Sequence, residues 1–454
     1  LSEDTYHHAT AGLYETHFTP NKGRERFRQL LDAIKLVMAS AYFNDVARYM
    51  RTHSIPREDE EMAVALETVV GQVRGDYYYP LLAGVGQSIN YFPVGQMSPD
   101  DGVTTVVMGL GSRAVAGQDG MRFCPRYPMV RPHFQQASEI MEVSQRVIDA
   151  VDMRDTAINA RLTGDITDTI ARVPIEETEE HGSLVEVASV YDRENDIFYD
   201  NLFRDGQRVI TFNRLLRESS FPLPSMLTRL FQIVSDGFGY PVEIEFALNL
   251  LKAKNGTPRC NLVLLQARPL PAMRTETAVA IPDLDEELVL ARTDHVLGHG
   301  KADDLTDIVF VDPDLFSLDV SDRVAQEVAA INEHMRDEDR RYVLLGPGRW
   351  GSCNKAVGVP VNFAQIDQAM LVAEVSTKRL NVEPSQGTHF FHNMVSRDLF
   401  FLTIDTRRGH HLDFKWLRDQ PNAANTELVK HIKVKPGVNI RVDARRKIGI
   451  VYRG

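Results

Sequence analysis

The amino-acid sequence predicts an α+β protein of more than one domain, and three observations carry that reading. Runs with the three-to-four-residue apolar spacing of amphipathic helices alternate with short β-branched runs of strand character, as an α/β or α+β build requires. A stretch from Arg268 to Asp283 holds Pro269, Pro271 and Pro282 with little periodicity and separates two such series. The end of the chain is β-rich. At 454 residues the chain is also too long for one core, since domains run to roughly 150 residues.

From Arg24 to about His53, Leu30, Ile34, Val37, Tyr42, Val46 and Tyr49 recur as one face of a long helix, which Ser54-Ile55-Pro56 ends. Met62 to Val70 and Val103 to Met108 read as buried strands, with Gly71, Gly75, Gly84 and Gly86 marking turns between them. Helical spacing returns over Gln136 to Val151 and Ser225 to Asp236, and strand pattern over Pro241 to Phe246 and Leu262 to Gln266. After the proline-rich break come strands near Asp307 to Val311 and Arg341 to Leu345 and a helix over Val324 to Met335. Lys435-Pro436-Gly437-Val438 then separates two alternating runs, His431 to Val434 and Asn439 to Val442, as a hairpin would. The expected organisation is a linker loop and long helix over 1–61, a domain over 62–270, a linker over 271–284 and a smaller α+β domain over 285–454.

Composition narrows the function classes. The 51 basic and 63 acidic residues leave a net charge of −12, which argues against a sequence-independent grip on nucleic acid or anionic lipid. No apolar run approaches the roughly 20 residues that cross a membrane, and Leu1-Ser2-Glu3-Asp4 lacks the basic start of an export signal. Cys124, Cys260 and Cys353 are far apart and show no metal-ligand spacing. A reducing, cytoplasmic location is expected. A homo-oligomer is compatible with all of this.

The most informative stretch is Pro241-Val242-Glu243-Ile244-Glu245-Phe246, a polar link with Asn255-Gly256, and Leu262-Val263-Leu264-Leu265-Gln266-Ala267-Arg268-Pro269. Residues two apart on a strand share a face. If the two runs pair, Glu243, Glu245, Gln266 and Arg268 present two carboxylates, an amide and a guanidinium together. Carboxylate oxygens suit Mg²⁺, and an arginine fork suits a phosphate that the metal also holds. The plainer alternative is the wet face of an amphipathic strand paired with Arg268.

These strands resemble the end of the ATP-binding domain of the phosphoenolpyruvate synthase and pyruvate phosphate dikinase family, an ATP-grasp fold. Upstream, Leu1-Ser2-Glu3-Asp4 with Ala11-Gly12-Leu13-Tyr14-Glu15-Thr16, the run Met62 to Val70, and Gly109-Leu110-Gly111 are similar to the family's opening segment, hinge strand and glycine-rich loop, in the family's order. The resemblance spans about residues 1–270. It is strongest with a bacterial group of phosphoenolpyruvate synthase-like proteins whose C-terminal region also reads like residues 285–454. It implies a partial ATP-grasp domain that binds ATP and Mg²⁺. Glu67 and Val69 would lie at the adenine hinge, Gly109 and Gly111 at the phosphates, Glu243 and Glu245 on the metal, with Gln266 beside them and Arg268 as the catalytic cation. Ser112 stands where the family's loop usually continues with glutamate, and Glu67 where its hinge commonly has glutamine. The family's first phosphate-binding portion, its phosphohistidine motif and its pyruvate-binding barrel have no counterpart here, so the resemblance implies a fragment whose N-terminal portion and phosphoryl acceptor lie elsewhere. The implied function is the ATP-binding portion of a phosphotransferase. The alternative is a non-catalytic nucleotide-sensing or assembly module.

Two loops of the C-terminal module carry polar chemistry. Gly346-Pro347-Gly348-Arg349-Trp350-Gly351-Ser352 frees backbone amides beside a guanidinium, and Pro384 to Asn393 gathers Ser385, Thr388 and His389 among aromatics. The plainer reading of each is a packed turn. If they converge, Arg349, Ser385, Thr388 and His389 form a second anion pocket. The eight lysines and arginines from Lys430 onward alternate with Ile432, Val434, Ile440 and Val442 and read as the solvated face of a small sheet.

Overall fold

The structure, a computed structural model, describes residues 14–24, 26–44, 46–47, 50, 62–115, 120–130, 137–154, 170–217, 222–252, 258–270, 278–351, 358–377, 385, 390–391, 394–395, 397–424 and 426–454. The chain divides into two compact units, Leu1–Leu270 and Pro271–Gly454. Together they make an α+β protein, ATP-grasp-like in its first unit and β-rich at its end.

The first unit begins with helix α1 (Arg26–Ser40). The expected continuation to His53 is interrupted. Ser40 Oγ donates to the Val37 carbonyl at 2.7 Å and accepts from the Glu15 amide at 3.2 Å, and the chain turns over 41–43 before helical backbone resumes at Asn44. A serine hydroxyl bonded to the preceding turn competes with the backbone ladder. The buried side is Gln29, Ala33 and Ser40, so Tyr42, on the anticipated face, is 73% exposed.

Residues 62–70 contain no strand, and Leu66 is 61% exposed. β-branched pattern describes a half-buried pleat only where a neighbour supplies the ladder, and pairing starts at Gln72. The strands are β1 (Gln72–Arg74), β2 (Tyr77–Tyr79), β3 (Leu82–Gln87) and β4 (Val103–Val107), the one-turn helix α2 (Ser112–Val115), then β5 (Met121–Phe123), β6 (Val147–Asp152), β7 (Ile170–Pro174), β8 (Ala188–Asp192), β9 (Ile197–Tyr199) and β10 (Gln207–Ile210). Helix α3 (Leu223–Phe238) and the long strands β11 (Val242–Lys252) and β12 (Pro258–Pro269) complete the unit.

The helix expected over Gln136 to Val151 is only Ala137–Val143, followed by β6. The Gln145 side chain accepts from the Met108 amide at 2.9 Å and donates to the Met108 carbonyl at 2.8 Å. That tie to the end of β4 stops the helix and delivers Val147, Ile148 and Val151 to the ladder with β7.

Three antiparallel sheets result, in the orders β1-β2-β6-β7, β10-β8-β9 and β12-β11-β3-β4-β5. One face of the five-stranded sheet packs Ile244, Phe246 and Leu248 with Leu227 and Phe231 of α3 in the main core. Gly86 permits that approach, since a Cβ there would lie 2.7 Å from the Phe231 ring. The other face is left to the candidate site.

The second unit is built on one nine-stranded sheet. Its elements are β13 (Val289–Thr293), β14 (Val296–Leu297), β15 (Gly300–Val311), helix α4 (Ser321–Asp337), β16 (Tyr342–Pro347), the small pair β17 (Arg349–Trp350) and β18 (Gly358–Val359), β19 (Ala369–Ser376), β20 (Phe400–Asp405), β21 (His411–Leu412), β22 (Val429–Asp443) and β23 (Ile448–Arg453). The sheet order is β14-β20-β19-β16-β15-β22-β23-β13-β21. The run β15, β16, β19, β20 is parallel, with α4 as the first crossover, and the remaining pairs are antiparallel.

The expected hairpin at Lys435-Pro436-Gly437-Val438 is absent: β22 runs through it as one strand. β15 is long enough to pair from Val311 opposite Val429 to Gly300 opposite Val442, with register irregularities on either side of Leu305 that absorb the break. There the Gly437 amide donates to Asp304 Oδ1 at 3.1 Å. The reversal comes at 444–447, where Asp443 Oδ1 accepts the amides of Arg445 and Arg446 at 3.0 Å each, an aspartate-initiated turn.

Candidate nucleotide site

β11 and β12 are antiparallel neighbours, with Glu243 opposite Arg268 and Glu245 opposite Gln266. On the other side of β11, Glu243 faces Gln87 and Glu245 faces Val85. Glu243, Glu245, Gln266 and Arg268 therefore share one face of the five-stranded sheet, in two rows. A bulge follows Glu245, so Phe246 pairs with Leu264 rather than Leu265.

The two rows differ. Arg268 donates through Nε to Glu243 Oε1 at 2.8 Å, a second guanidinium nitrogen bonds the same oxygen, and Gln87 Nε2 donates to Oε2 at 3.0 Å. Glu243 is 1% exposed and Arg268 6%. Burial and the Glu243 carboxylate push the neighbouring Tyr91 phenol upward from its ordinary pKa. Glu243 thus does not fit the expected role of metal ligand: it is enclosed, both oxygens accept hydrogen bonds, and its charge is balanced by Arg268. Its geometry is that of an anchor for the guanidinium. Glu245 is half-buried and Gln266 exposed.

The glycine loop lies over the same face. β4 runs into Gly109, whose φ of +90° is a left-handed conformation and whose missing Cβ would lie 2.6 Å from the Asp149 carbonyl. The Leu110 amide donates to that carbonyl at 2.8 Å. A Cβ on Gly111 would sit 3.4 Å from Ala83 Cβ, and Ala114 of α2 packs with Val85 and Val107. Ala83, Val85 and Gln87 alternate along β3 with the face of Glu243 and Glu245, so loop and carboxylates meet on one surface. Ser112 Oγ donates to Asp149 Oδ2 at 2.9 Å, and Arg113 lies 3.8 Å from Oδ1.

The expected hinge is not a strand. Glu67 is exposed and Val69 half-buried, its carbonyl accepting from the Tyr78 hydroxyl at 3.0 Å. The opening motif, apart from Tyr14, Glu15 and Thr16, lies outside the described residues. Gln87, Tyr91 and Asp149 were not legible as site residues: Gln87 ends an otherwise apolar run, and Asp149 falls where the sequence reads as helix.

The family described as pyruvate phosphate dikinase, AMP/ATP-binding domain, matches residues 1–288. The chain belongs to this family. No curated protein matches it. The first unit is thus a pyruvate phosphate dikinase-type AMP/ATP-binding domain, and the strand pair, glycine loop and Arg268 described above all lie within the matched residues. Among the described residues no helix is long and apolar enough to cross a membrane.

Residues 289–454 lie beyond the match. There, Arg349 is half-buried on β17, and Ser385 is buried. Both adjoin Glu374, which the sequence did not single out. The Trp350 amide donates to Glu374 Oε1 at 3.0 Å, the Ser385 amide to Oε2 at 2.7 Å, and the Ser385 hydroxyl also bonds Oε1. Burial pushes the Glu374 carboxyl up to about 7, against those hydrogen bonds and the nearby Arg349. Thr388 and His389 lie outside the described residues.

Proposed function

We propose that the first unit binds Mg·ATP on the open face of β12-β11-β3-β4-β5 for phosphoryl transfer to an acceptor outside this chain. The observation that supports it is the meeting of the Gly109-Leu110-Gly111 loop with the Glu245/Gln266 and Glu243/Arg268 rows on one surface. Glu245 and Gln266 offer hard oxygen donors directly opposite one another, a set that fits Mg²⁺. Bound there, the metal supplies neutralising charge on the phosphates. Glu243 holds Arg268 in one orientation, so the cation needs little rearrangement to stabilise charge on a phosphoryl group. The tight turn at Gly109 places the Gly111 backbone close to the sheet, where a side chain would crowd a phosphate.

A non-catalytic nucleotide-sensing module is the second reading, favoured by Ser112, whose hydroxyl is spent on Asp149. Calorimetric titration with ATP, with and without Mg²⁺, joined to a phosphate-release assay, tests both. Mg²⁺-dependent binding is expected, and Glu245→Gln and Arg268→Gln should each weaken it about tenfold or more, the loss of a charge-assisted contact of 1.5–3 kcal/mol. Unchanged binding in both variants sinks the site. ATP binding with no transfer to any acceptor assayed selects the sensing module.

A further inference from the structure

The second unit has a polar interior at the carboxyl end of its parallel strands. On the face that carries Tyr342, Leu344, Val372 and Phe401, the strand ends change character. Gly346, Glu374 and Thr403 stand side by side on β16, β19 and β20, and in the next row Ser376 stands beside Asp405. Glu374, Ser376, Thr403, Asp405 and the adjoining Ser385 are each no more than 6% exposed. A sheet interior normally excludes such groups unless each is hydrogen-bonded.

Most are. Glu374 clamps Trp350 and Ser385 as described, which brings those two residues to one place. Asp405 holds Arg407 at 2.7 Å and Arg408 at 3.5 Å. Thr403 is the exception: its hydroxyl is buried and has no hydrogen-bond partner among the described residues. It shares a face with the Glu374 carboxylate, so it is aimed into the cluster. Guanidinium groups rim the same edge, Arg349 after β16 and Arg407 and Arg408 after β20. In open sheets with parallel strands, ligands bind outside the carboxyl ends.

We propose that this edge is a second ligand site, independent of the nucleotide site, that takes a small molecule through a phosphate-class oxyanion held by Arg349 and by the Thr403 hydroxyl. Glu374 is a positioning residue that fixes Trp350 and Ser385 beside the anion. The buried hydroxyl then gains the partner it lacks, and the guanidinium rim supplies the charge that offsets two nearby carboxylates.

The test is isothermal titration of the whole chain with inorganic phosphate, repeated on Arg349→Gln, Thr403→Val and, as a control in the first unit, Arg268→Gln. Saturable binding should weaken at least tenfold in Arg349→Gln and several-fold in Thr403→Val, and persist in Arg268→Gln. Thr403→Val keeps the shape of the side chain and leaves no unpaired hydroxyl, so its melting temperature should not fall; it decides the matter if Arg349→Gln does not fold. No saturable binding to the wild-type chain overturns the proposal. So does binding that survives in both Arg349→Gln and Thr403→Val, including the case in which Arg268→Gln removes it and the anion sits in the nucleotide site.

Discussion

Glu243 and Arg268 face each other across β11 and β12, and the guanidinium places two nitrogens on one carboxylate oxygen while Gln87 holds the other. Two charges withdrawn from water in this way depend on one another. Removing either alone leaves the partner buried and uncompensated, at a cost of about 3–5 kcal/mol.

The first prediction follows from that dependence. Glu243→Gln should lower unfolding stability by an amount in that range, and the double variant Glu243→Gln/Arg268→Met should lose much less than the sum of the single changes. Urea unfolding of the four proteins measures it. Additive losses would mean that the two side chains act separately.

The glycine loop gives a second. Gly109→Ala forces a side chain into φ of +90° and against the Asp149 carbonyl, whereas Gly111→Ala meets only the Ala83 methyl at 3.4 Å. Gly109→Ala should cost about 1–3 kcal/mol, seen as a clear fall in melting temperature, and Gly111→Ala much less. Equal falls would contradict the loop's placement.

Asp307 predicts acid sensitivity in the second unit. Burial by itself would raise its carboxyl, but hydrogen bonds from His431, Arg340 and Thr306 override it and hold it at about 2, below the ordinary 3.8. A depressed carboxyl contributes stability that is present above its unfolded value and lost as pH falls toward 2, here about 2 kcal/mol. Denaturant midpoints taken between pH 5 and pH 2 should drop in the wild-type chain more steeply than in Asp307→Asn.

Glu374 predicts the opposite slope. Its carboxyl, pushed by burial up to about 7 from 4.5, binds a proton more tightly folded than unfolded. The associated stability is full below pH 4.5 and declines as pH rises toward 7, by on the order of 3 kcal/mol. Glu374→Gln imitates the neutral form and should remove this decline from denaturant midpoints measured between pH 4.5 and pH 7.5. A variant as pH-dependent as the wild type would show that Glu374 is already ionised throughout.

Where local pattern and tertiary demand agreed, the chain was readable. Helix α3 and the strands around Glu243 and Arg268 appear at the expected places because a two-residue or 3.6-residue alternation is itself the record of which side is buried. The one-face arrangement of Glu243, Glu245, Gln266 and Arg268 follows from that period, given the pairing. Three other readings gave way to single hydrogen-bonding side chains. Ser40 broke a periodic helix, the Gln145 amide turned one into a strand, and Asp304 helped keep β22 straight through a sequence that looks like a turn.

By itself the sequence determined the α+β class, the motifs of the family and the chemical types available to the site. Those are properties of residues near one another in the chain. Only the tertiary structure decided that Glu243 is held by Arg268 and Gln87, that Asp149 meets the glycine loop, and that Glu374 gathers Trp350 and Ser385. The reason is physical: a carboxylate's role is set by which donors reach it and by how much water remains around it, and both depend on strands and loops distant in sequence being brought into register.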